Sequence, residues 1–593
     1  MQRESSGRKE LRRKEGAERL LEYYTGILGE CGAVIEKLKE PLPITFRVIP
    51  GPWGDIISAE AERNRLVRRL PWGERIYEVC LSRKDLTGKG IRTNQHSLDK
   101  DDLMQISQFL RTFCESSLIT RQEAVSMIPV YALEIEPNSI VLDMCASPGS
   151  KSSQILESLG PDGVALCNDV NTRRVDQLIK QTKRFGHPGL LVSCNDATMY
   201  PHPGVVPNRV LCDVPCSGDG TLRKNPHIFE TWSSKEALGL FKVQKKIIRR
   251  GFDLLAENGI LVYSTCSLNP IENELVIMSL LAERPQAKIV PFDIEGLIAR
   301  DGLSESAIRA AITLSAGDQE MQTLPYHPSI KNCRRVLPND QNTGGFFITK
   351  IRKQPAPTTT TTTNSLANAT TTLPTTTLPT TPQSPINPAT ASTTPIRGEK
   401  SIEESYLFMV DAAKREEIEG QWGAVDTNLV AKTDKYKNVY ALNSVGMNIA
   451  QRAPGALRLV FAGTRVFSLF WKTKDNQEEG KWRMTCEGIA AIAPRTTRVF
   501  HTSYRNILSV LEADQELPEI TNQFGLFLLV AKPSNPSSNP IVTVPVAIKG
   551  SHVEVLIEKI QRRTLTAALR LLLKYDGNQQ DAAQVPAAAK TSI

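Results

Sequence analysis

Two cysteines stand in short motifs that each follow a hydrophobic run. Cys216 lies in DVPCSG (213–218), and Cys266 lies in YSTCS (263–267). Such runs are typical of core strands, and in a parallel α/β sheet the carboxyl ends of the strands face the ligand crevice. The sequence therefore predicts two thiols and the carboxylate of Asp213 at the mouth of one site. Two thiols beside a carboxylate suit covalent attack on an electron-poor ring.

A second motif, DMCASPGSK at 143–151, follows the first predicted strand and precedes a helix. Its small residues let a ligand approach the backbone, and the helix N-terminus offers free N–H groups to an anionic group such as a carboxylate. The motif differs from the Gly-x-Gly-x-x-Gly fingerprint, which argues against a nicotinamide enzyme. The candidate cofactor contacts are Cys145, Ala146, Ser147, Pro148, Gly149, Ser150 and Lys151.

Aspartates stand at the ends of four successive predicted strands, at Asp143, Asp169, Asp196 and Asp213. A lone aspartate in such a place is usually a turn or cap residue, but four together favour a ligand site. The spacing from Gly149 to Asp169 matches the one at which a carboxylate binds ribose hydroxyls in Rossmann-like folds. The set suits a nucleoside-bearing cationic cofactor, and S-adenosylmethionine fits better than a dinucleotide.

Short apolar runs alternate with amphipathic segments between about residues 125 and 352. This alternation predicts an α/β fold, a Rossmann-like parallel sheet with helices on both faces. Right-handed crossovers then place the carboxyl ends of the parallel strands on one side. The predicted strands cover 139–144, 164–169, 190–194, 210–212, 260–263 and 346–351, and the predicted helices between them include 151–159, 174–184 and 236–256.

The flanking regions have different compositions. Residues 1–124 predict an N-terminal α+β segment, with helices over 18–39 and 101–114 and a strand over 45–48. A Thr/Pro-rich stretch cannot bury apolar surface, so 353–400 is predicted to be a disordered linker.

Residues 401–575 predict a C-terminal β-rich domain plus a helix. Strand-like runs cover 457–461, 465–470 and 525–530, and a PUA-like barrel is one candidate fold. Helical periodicity over 553–574 carries Lys559, Arg562 and Arg563 on one face. We interpret this as a solvated helix face rather than an RNA contact. Residues 576–593 are predicted to be a disordered tail.

The composition is that of a globular protein: 40% of the 593 residues are hydrophobic and 23% are charged. The net charge of +8 permits a polyanionic partner without requiring one. The 11 cysteines form neither a paired zinc motif nor a secreted disulfide framework, so we expect reduced thiols and no metal. The polar N-terminus predicts no secretion signal, and the apolar runs are too short for a membrane span.

Five segments together resemble the Nop/Sun family of RNA cytosine-5 methyltransferases, a likeness that covers about residues 15–352. They are RQEAVSMIP (121–129), DMCASPGSK (143–151), CDVPCSGDGT (212–221), YSTCSLNPIENE (263–274) and LPNDQNTGGFF (337–347). The resemblance implies a class I methyltransferase domain over 125–352, S-adenosylmethionine as cofactor and RNA as substrate. It also implies that the N-terminal segment 1–124 contacts the RNA. The first and last segments favour the branch of the family that acts on tRNA.

The chemistry of this family explains the catalytic residues. Carbon 5 of cytosine is too poor a nucleophile until a thiolate adds to carbon 6 and makes the ring an enamine. Position alone leaves the two thiols interchangeable. The resemblance implies that Cys266 attacks, that Asp213 contacts N3 and the exocyclic amine, and that Cys216 helps to break the adduct.

The resemblance also implies roles around the cofactor. The turn 145–151 would wrap the methionine part, Asp169 would hold the ribose hydroxyls, and Asp196 would lie near the adenine. Asn171 stands where relatives often carry an acid, which the presence of Asp169 makes tolerable. Arg223 and Lys224, just after the Pro-Cys loop, are candidate contacts to RNA phosphates.

Two other interpretations remain. One is a ribosomal RNA methyltransferase of the same family. The other is a non-catalytic RNA-binding assembly factor, which predicts the loss of a motif cysteine or of Asp213, and all three residues are intact. The resemblance places the protein in the nucleus or nucleolus, with the cytoplasm as the alternative. Its oligomeric partners, the modified cytidines and the organism are left open.

Overall fold

The computed structural model describes residues 6–86, 100–115, 117–355, 408–423, 425, 427–432, 436–452, 457–471, 480–493, 496–513, 516–517, 520, 523–531 and 541–582. Most of the predicted linker 353–400 lies outside the described residues. Among the described helices, none is long and apolar enough to cross a membrane.

The N-terminal segment combines helices with a small antiparallel sheet of order β2-β3-β1-β4. The predicted helix over 18–39 is wrong as a single element, because Gly29 adopts a φ of +74° and ends the first helix there. The elements are α1 (Ser6–Leu28), α2 (Gly32–Lys39), β1 (Pro43–Val48), α3 (Pro52–Arg63), β2 (Val67–Arg69), β3 (Ile76–Ser82), α4 (Arg83–Leu86), α5 (Lys100–Glu115) and β4 (Ile119–Arg121).

The central region contains all the strands that the sequence predicted there, with small differences at their ends. Its elements are α6 (Ile128–Ala132), β5 (Ile140–Asp143), α7 (Ser150–Ser158), β6 (Val164–Asn168), α8 (Thr172–Thr182), β7 (Leu190–Ser193), β8 (Arg209–Asp213), α9 (Ile228–Thr231), α10 (Glu236–Leu254), β9 (Ile260–Thr265), α11 (Glu274–Glu283), β10 (Ala287–Ile289), β11 (Arg300–Asp301), α12 (Glu305–Leu314), α13 (Gln319–Thr323), β12 (Arg334–Val336), α14 (Pro338–Gln341) and β13 (Phe346–Lys353).

The C-terminal region contains further strands and helices. They are β14 (Phe408–Met409), α15 (Ala412–Trp422), β15 (Asn428–Ala431), β16 (Asn438–Leu442), α16 (Ser444–Arg452), β17 (Leu459–Ala462), β18 (Thr464–Trp471), β19 (Gly480–Met484), α17 (Ile489–Ile492), β20 (Val499–Thr502), α18 (Tyr504–Glu512), β21 (Gln523–Ala531), β22 (Val542–Gly550), β23 (His552–Val555) and α19 (Lys559–Ala582).

The central sheet has the order β11-β12-β13-β9-β8-β5-β6-β7-β17. Strands β5 to β9 are parallel to one another, and β13 runs antiparallel to β9. Their side chains are buried on both faces, as continuous hydrophobic runs predict. The strand order reverses between β5 and β8, which is the switch point where such sheets bind ligands. The Rossmann-like α/β prediction is confirmed.

The C-terminal region forms two sheets, of order β14-β15-β16-β18-β19 and β20-β21-β22-β23. Its strand β17 leaves them and pairs with β7 at the edge of the central sheet, with Leu459 opposite Ser193. The predicted strand at 457–461 exists, but in a sheet the sequence did not indicate.

The predicted helix over 553–574 is wrong at its start, because β23 pairs with β22 there and α19 begins only at Lys559. The helix continues to Ala582, inside the predicted tail.

Candidate active site

The two motif cysteines meet where the carboxyl ends of β8 and β9 lie side by side. Asp213 and Ser264 are in register across this pair, and the Ser264 hydroxyl donates to Asp213 Oδ1 at 2.8 Å. The sulfur atoms of Cys216 and Cys266 are 3.2 Å apart, and both side chains are half-buried free thiols. The structure thus brings two thiols and one carboxylate together at one sheet edge.

Lys151 joins this corner to the turn after β5. Its Nζ lies 2.8 Å from Asp213 Oδ2 and 5.3 Å from the centre of the Phe346 ring. Burial acts to lower the pKa of Lys151, but the neighbouring Asp213 outweighs it and the pKa is raised, so the ammonium stays charged. Asp213 is therefore oriented from two sides, by a hydroxyl and by an ammonium.

Glu272 ties together the loops that carry the two cysteines. Its carboxylate accepts from the backbone N of Ser217 at 2.8 Å and from its hydroxyl at 2.5 Å. It also accepts from the Ser267 hydroxyl at 2.8 Å. These serines directly follow Cys216 and Cys266 in the chain. One buried carboxylate thus sets the separation of the two sulfur-bearing loops.

The sequence prediction missed Glu272. Glu272 lies in the 263–274 motif, which could have marked it as a candidate. The sequence does not show that its carboxylate connects the two cysteine loops. Burial, and then the charge of Asp219, raise the pKa of Glu272 to about 7. The carboxyl group therefore exchanges a proton near neutral pH in the folded protein.

Helix α1 supports the loop behind Cys266. The Tyr24 hydroxyl donates to Asp219, and Trp232 Nε1 donates to the same carboxylate oxygen at 3.4 Å. The backbone N of Leu268 donates to Asp219 Oδ1 at 2.7 Å. Burial raises the pKa of this carboxyl group. The N-terminal segment is therefore a structural part of the site, through contacts that no local motif predicts.

The two thiols share one hydrogen bond. The contact with Cys266 raises the pKa of Cys216 well above its ordinary value, and burial and the charges of Glu272 and Asp213 add to the effect. Either sulfur can be the donor in the 3.2 Å contact, so the geometry of the site does not by itself order the two thiols.

The turn after β5 forms one wall of a cavity of about 1340 Å³. Gly149 has a φ of +104°, in the left-handed region that favours glycine, and starts α7. Free N–H groups of the first helical turn lie at this end. Asp143 and Asp213 line the same cavity, and the turn residues that line it are Cys145, Ala146, Ser147, Pro148, Ser150 and Lys151.

Asp169 and Asp196 lie farther along the same sheet edge, outside the lining of this cavity. Asp169 is 4% exposed, accepts from the backbone N of Asn171 at 3.0 Å and pairs with Arg174 at 3.2 Å. Asp196 is exposed and caps its own turn, because its Oδ1 accepts from the backbone N and the hydroxyl of Thr198 at 2.8 Å. The two carboxylates therefore have different environments.

The polar groups at this edge fit a cofactor with a cationic end and a nucleoside. Asp143 Oδ1 is buried and has no hydrogen-bond partner, and burial raises the pKa of Asp143 to about 7. An ammonium donor would satisfy this oxygen. Asn195 Nδ2, beside Asp196, is also buried without a partner and offers a donor to a base. Both ends of S-adenosylmethionine thus find complementary groups.

Comparison with known proteins decides the family. Residues 130–352 match the model described as 16S rRNA methyltransferase RsmB/F. The tRNA (cytosine(49)-C(5))-methyltransferase of Pyrococcus abyssi is 33% identical over 236 residues, which are 40% of this chain and 70% of that protein. The chain belongs to the RsmB/F family. The resemblance to Nop/Sun proteins is thereby confirmed, and the methyltransferases of this family depend on S-adenosylmethionine.

Other relatives extend this comparison. The multisite-specific tRNA:(cytosine-C(5))-methyltransferase of Saccharomyces cerevisiae is 37% identical over 359 residues, 53% of this chain and 51% of that protein. The chain spans about half the length of the eukaryotic tRNA relatives that it matches. A methyltransferase homologue from Pyrococcus horikoshii is 27% identical, with a TM-score of 0.43 over 57% of this chain and 99% of that one.

In this RsmB/F member, one predicted RNA contact is wrong. Arg223 is 7% exposed, and its guanidinium donates to the carbonyl oxygens of Pro41 at 2.7 Å and Thr343 at 2.8 Å and to Asn342 Oδ1 at 2.8 Å. Arg223 therefore fastens the N-terminal segment to the loop before β13, a contact that its position in sequence does not reveal. Lys224 is exposed at the cavity rim, and its contact to phosphate stays a prediction.

Within the described part of the chain, no group of three or more His, Cys, Asp or Glu side chains is arranged to hold a metal ion. The buried cysteines Cys167, Cys194 and Cys212 serve as core residues, as their positions inside or beside strands predict.

Proposed function

We propose that this chain transfers a methyl group from S-adenosylmethionine to carbon 5 of cytosine in tRNA, through a covalent adduct on Cys266. The observation that carries the proposal is the 3.2 Å contact between Cys216 and Cys266 beside Asp213, which Lys151 and Ser264 orient. When bound, the cofactor supplies the methyl group on a sulfonium centre. The turn 145–151 would hold its methionine part, with Asp143 facing the ammonium. Asp169 would hold the ribose hydroxyls, and Asp196 would lie near the adenine.

The attacking step begins at Cys266. Its thiolate forms a bond to carbon 6 of the cytosine, and the ring electron pair moves towards N3, so that carbon 5 becomes nucleophilic. Asp213, in its protonated form, would give its proton to N3 and accept from the exocyclic amine, so that N3 stays neutral as the electron pair arrives. The proton returns to Asp213 when the adduct breaks. Lys151 keeps this carboxyl group in place and adds positive charge at the same edge.

Release reverses the addition. A base removes the carbon 5 proton, the ring double bond forms again, and the bond from carbon 6 to Cys266 breaks with its electron pair returning to sulfur. We assign assistance in this step to Cys216, which lies 3.2 Å from the leaving sulfur. The order of the two thiols rests on the family, because either sulfur can be the donor in their contact.

The substrate class rests on the relatives. The fungal and archaeal proteins with which the chain shares 33–37% identity are named as tRNA methyltransferases. A ribosomal RNA substrate is the second candidate, since the human 28S rRNA (cytosine(4447)-C(5))-methyltransferase is 31% identical over 236 residues. The intact cysteines and Asp213 speak against a purely non-catalytic assembly factor. The target base must leave its stack, which costs least in loops and junctions.

Bisulfite sequencing of total RNA incubated with the protein and S-adenosylmethionine tests this function. We expect new protected cytidines in tRNA with the wild-type chain and none with Cys266→Ala. Protection confined to ribosomal RNA would replace tRNA by the second candidate, and protection in no RNA would contradict the activity. A nuclear or nucleolar location is also a proposal, which microscopy of the tagged chain tests against the cytoplasm.

A further inference from the structure

The last described helix, α19, packs between the C-terminal sheet β20–β23 and the N-terminal sheet β1–β4. Leu569 and Leu572 pack in the core of the β20–β23 sheet, and Ala568 packs in the core of the N-terminal sheet. The Thr564 hydroxyl donates to the carbonyl oxygen of Thr112 in α5 at 3.4 Å. These contacts hold α19 against α5. The exposed face of α19 and the neighbouring face of α5 line one groove.

A concave groove of about 960 Å³ lies between α5, α19 and the end of α18, and we name it the α5/α19 groove. Two acids, Glu115 and Glu512, line it. More cations than acids line it, one from α5 and four from α19. They are Arg111, Lys559, Arg562, Arg563 and Arg570. The surface is therefore positively charged and attracts polyanions.

The cations of the α5/α19 groove fall into two groups. Arg562 and Arg570 are engaged by the end of α18, through carbonyl oxygens and an ion pair at 2.8 Å. Arg111, Lys559 and Arg563 are exposed, and no hydrogen bond or ion pair within the described chain holds them. Lys559 and Arg563 stand four residues apart on α19, so they share one face of the helix. These three side chains are available to an external anion.

Two further cations lie near the end of α5, whose Glu115 lines the groove. Arg184 donates to the carbonyl oxygen of Cys114 at 3.0 Å. Burial raises the pKa of the Cys114 thiol, and the charges of Arg121 and Arg184 oppose that rise, so both cations lie close to it. Arg121 also lines the cavity that contains Lys151 and Asp213, which we call the catalytic cavity. Cations therefore lie both beside the groove and at the catalytic cavity.

We propose that the α5/α19 groove binds the phosphate backbone of the RNA whose cytidine enters the catalytic cavity, an inference that rests on the proposed function. Phosphate contacts fix the register of an RNA without reading its sequence, and arginine suits them. Held in this way, the body of the RNA stays in place while one base leaves its stack. This proposal replaces the interpretation of Lys559 and Arg563 as part of a solvated helix face. The sequence favoured that interpretation because it does not show that Arg111 of α5 lines the same groove.

Binding of an unmodified tRNA transcript as a function of salt tests this proposal. We compare the wild-type chain, the double variant Lys559→Glu/Arg563→Glu and the control Lys574→Glu, which reverses an exposed charge on the same helix outside the groove. Loss of two phosphate contacts raises the Kd roughly 10–30-fold at about 0.15 M salt and lowers the slope of log Kd against log salt by roughly 1.5. The control matches the wild type.

A double variant whose Kd and salt slope match those of the control would overturn the proposal. That outcome would also arise if the groove took an acidic protein instead of RNA. Thermal unfolding of all three proteins excludes loss of folding as the cause of weaker binding. The binding measurement needs no turnover, so a wild-type chain that binds tRNA through the groove but methylates no RNA would contradict the proposed function alone.

Discussion

The carboxyl edge of the central sheet has one half that we propose to be catalytic and one that we propose to bind the cofactor, here called the catalytic half and the cofactor half. They differ in how fully their carboxylates are paired. In the catalytic half, at β8 and β9, Ser264 and Lys151 hold Asp213, and Glu272 accepts hydrogen bonds from both cysteine loops. In the cofactor half, at β5 to β7, Asp143 keeps a buried oxygen without a partner. The carboxylates of the first half have their partners in place, although Gln244 Oε1 beside Glu272 is buried without one, whereas Asp143 in the second half lacks a partner for one oxygen.

The difference separates two kinds of effect. A paired network fixes the geometry of the reacting groups before the substrate arrives, so its loss lowers kcat. Unpaired buried groups gain their partners from the ligand, so their loss weakens cofactor binding. The cofactor half also borders the C-terminal region, because the backbone N of Cys194 donates to the carbonyl oxygen of Arg458 at 2.9 Å beside β17.

The largest expected effect lies in the catalytic half. Cys266→Ala should lower methylation about 1,000-fold or more and abolish covalent capture of RNA that contains 5-fluorocytosine or 5-azacytosine, because the nucleophile is gone. Cys216→Ala should still form an adduct with ordinary RNA but fail to release it. Denaturing gels that resolve the protein–RNA adduct measure both. Rapid turnover by Cys216→Ala would remove its release role, and full activity of Cys266→Ala would contradict the mechanism.

A smaller loss is expected for Glu272→Gln. The amide nitrogen that replaces Oε2 cannot accept from the backbone N of Ser217 or from Gln244 Nε2, which both donate to that oxygen. Charged hydrogen bonds are worth about 1.5–3 kcal/mol, so kcat should fall about 10–100-fold. The Kd of S-adenosylmethionine should stay near the wild-type value, because Glu272 touches the catalytic half alone. Steady-state kinetics and calorimetry separate the two quantities. If Glu272→Gln weakened cofactor binding and left kcat unchanged, the proposed division of the sheet edge into a catalytic half and a cofactor half would be wrong.

The same variant has a pH signature. The pKa of Glu272 is raised to about 7 in the folded protein, so its contribution to stability is full below the ordinary carboxyl pKa and is lost as pH rises through 7. The free energy of unfolding of the wild type, measured relative to Glu272→Gln, should therefore decrease between about pH 5 and pH 8. Urea unfolding at both pH values checks this, and a difference that increases with pH would show that the sign is wrong.

The two carboxylates of the cofactor half should differ in their effect, and the smallest effect should come from Asp196. Asp169→Ala removes a buried acceptor and should raise the Kd of S-adenosylmethionine about 10–100-fold. Asp196→Ala removes an exposed cap and should change it about twofold or less. Titration calorimetry measures both, with Asp169→Asn as the isosteric control. If the two alanine variants raised the Kd equally, the different burial of Asp169 and Asp196 would not reflect different roles in cofactor binding.

Much of the fold follows from local sequence. The runs that became β5 to β9 are hydrophobic throughout, and buried parallel strands require this pattern. The sheets of the N-terminal and C-terminal regions could not be predicted in the same way, because a short apolar run can pair with strands of several sheets. Leu459–Ala462 reads as an ordinary strand, yet it pairs with β7 rather than with its sequence neighbours. Residues at 553–558 follow a helical pattern, yet pairing with β22 wins over local propensity.

The candidate site divides in the same way. Cys216, Cys266 and Asp213 were identifiable because each belongs to a motif at a strand end. Glu272 was not, because its role depends on two serines in separate loops. Arg223 was assigned to RNA because a basic residue after a loop is usually exposed, whereas the N-terminal segment covers it in the folded chain.

The amino-acid sequence by itself determined the α/β core, the order of its motifs and the residue types that suit methyl transfer to a pyrimidine. These depend on periodicity and on spacing within a few residues, which the chain carries locally. Tertiary structure alone decided which carboxylate joins the cysteine loops and how α5 and α19 form a cationic groove. Each of these depends on burial and on partners more than fifty residues away, and charge, hydrogen bonding and desolvation act through space rather than along the chain.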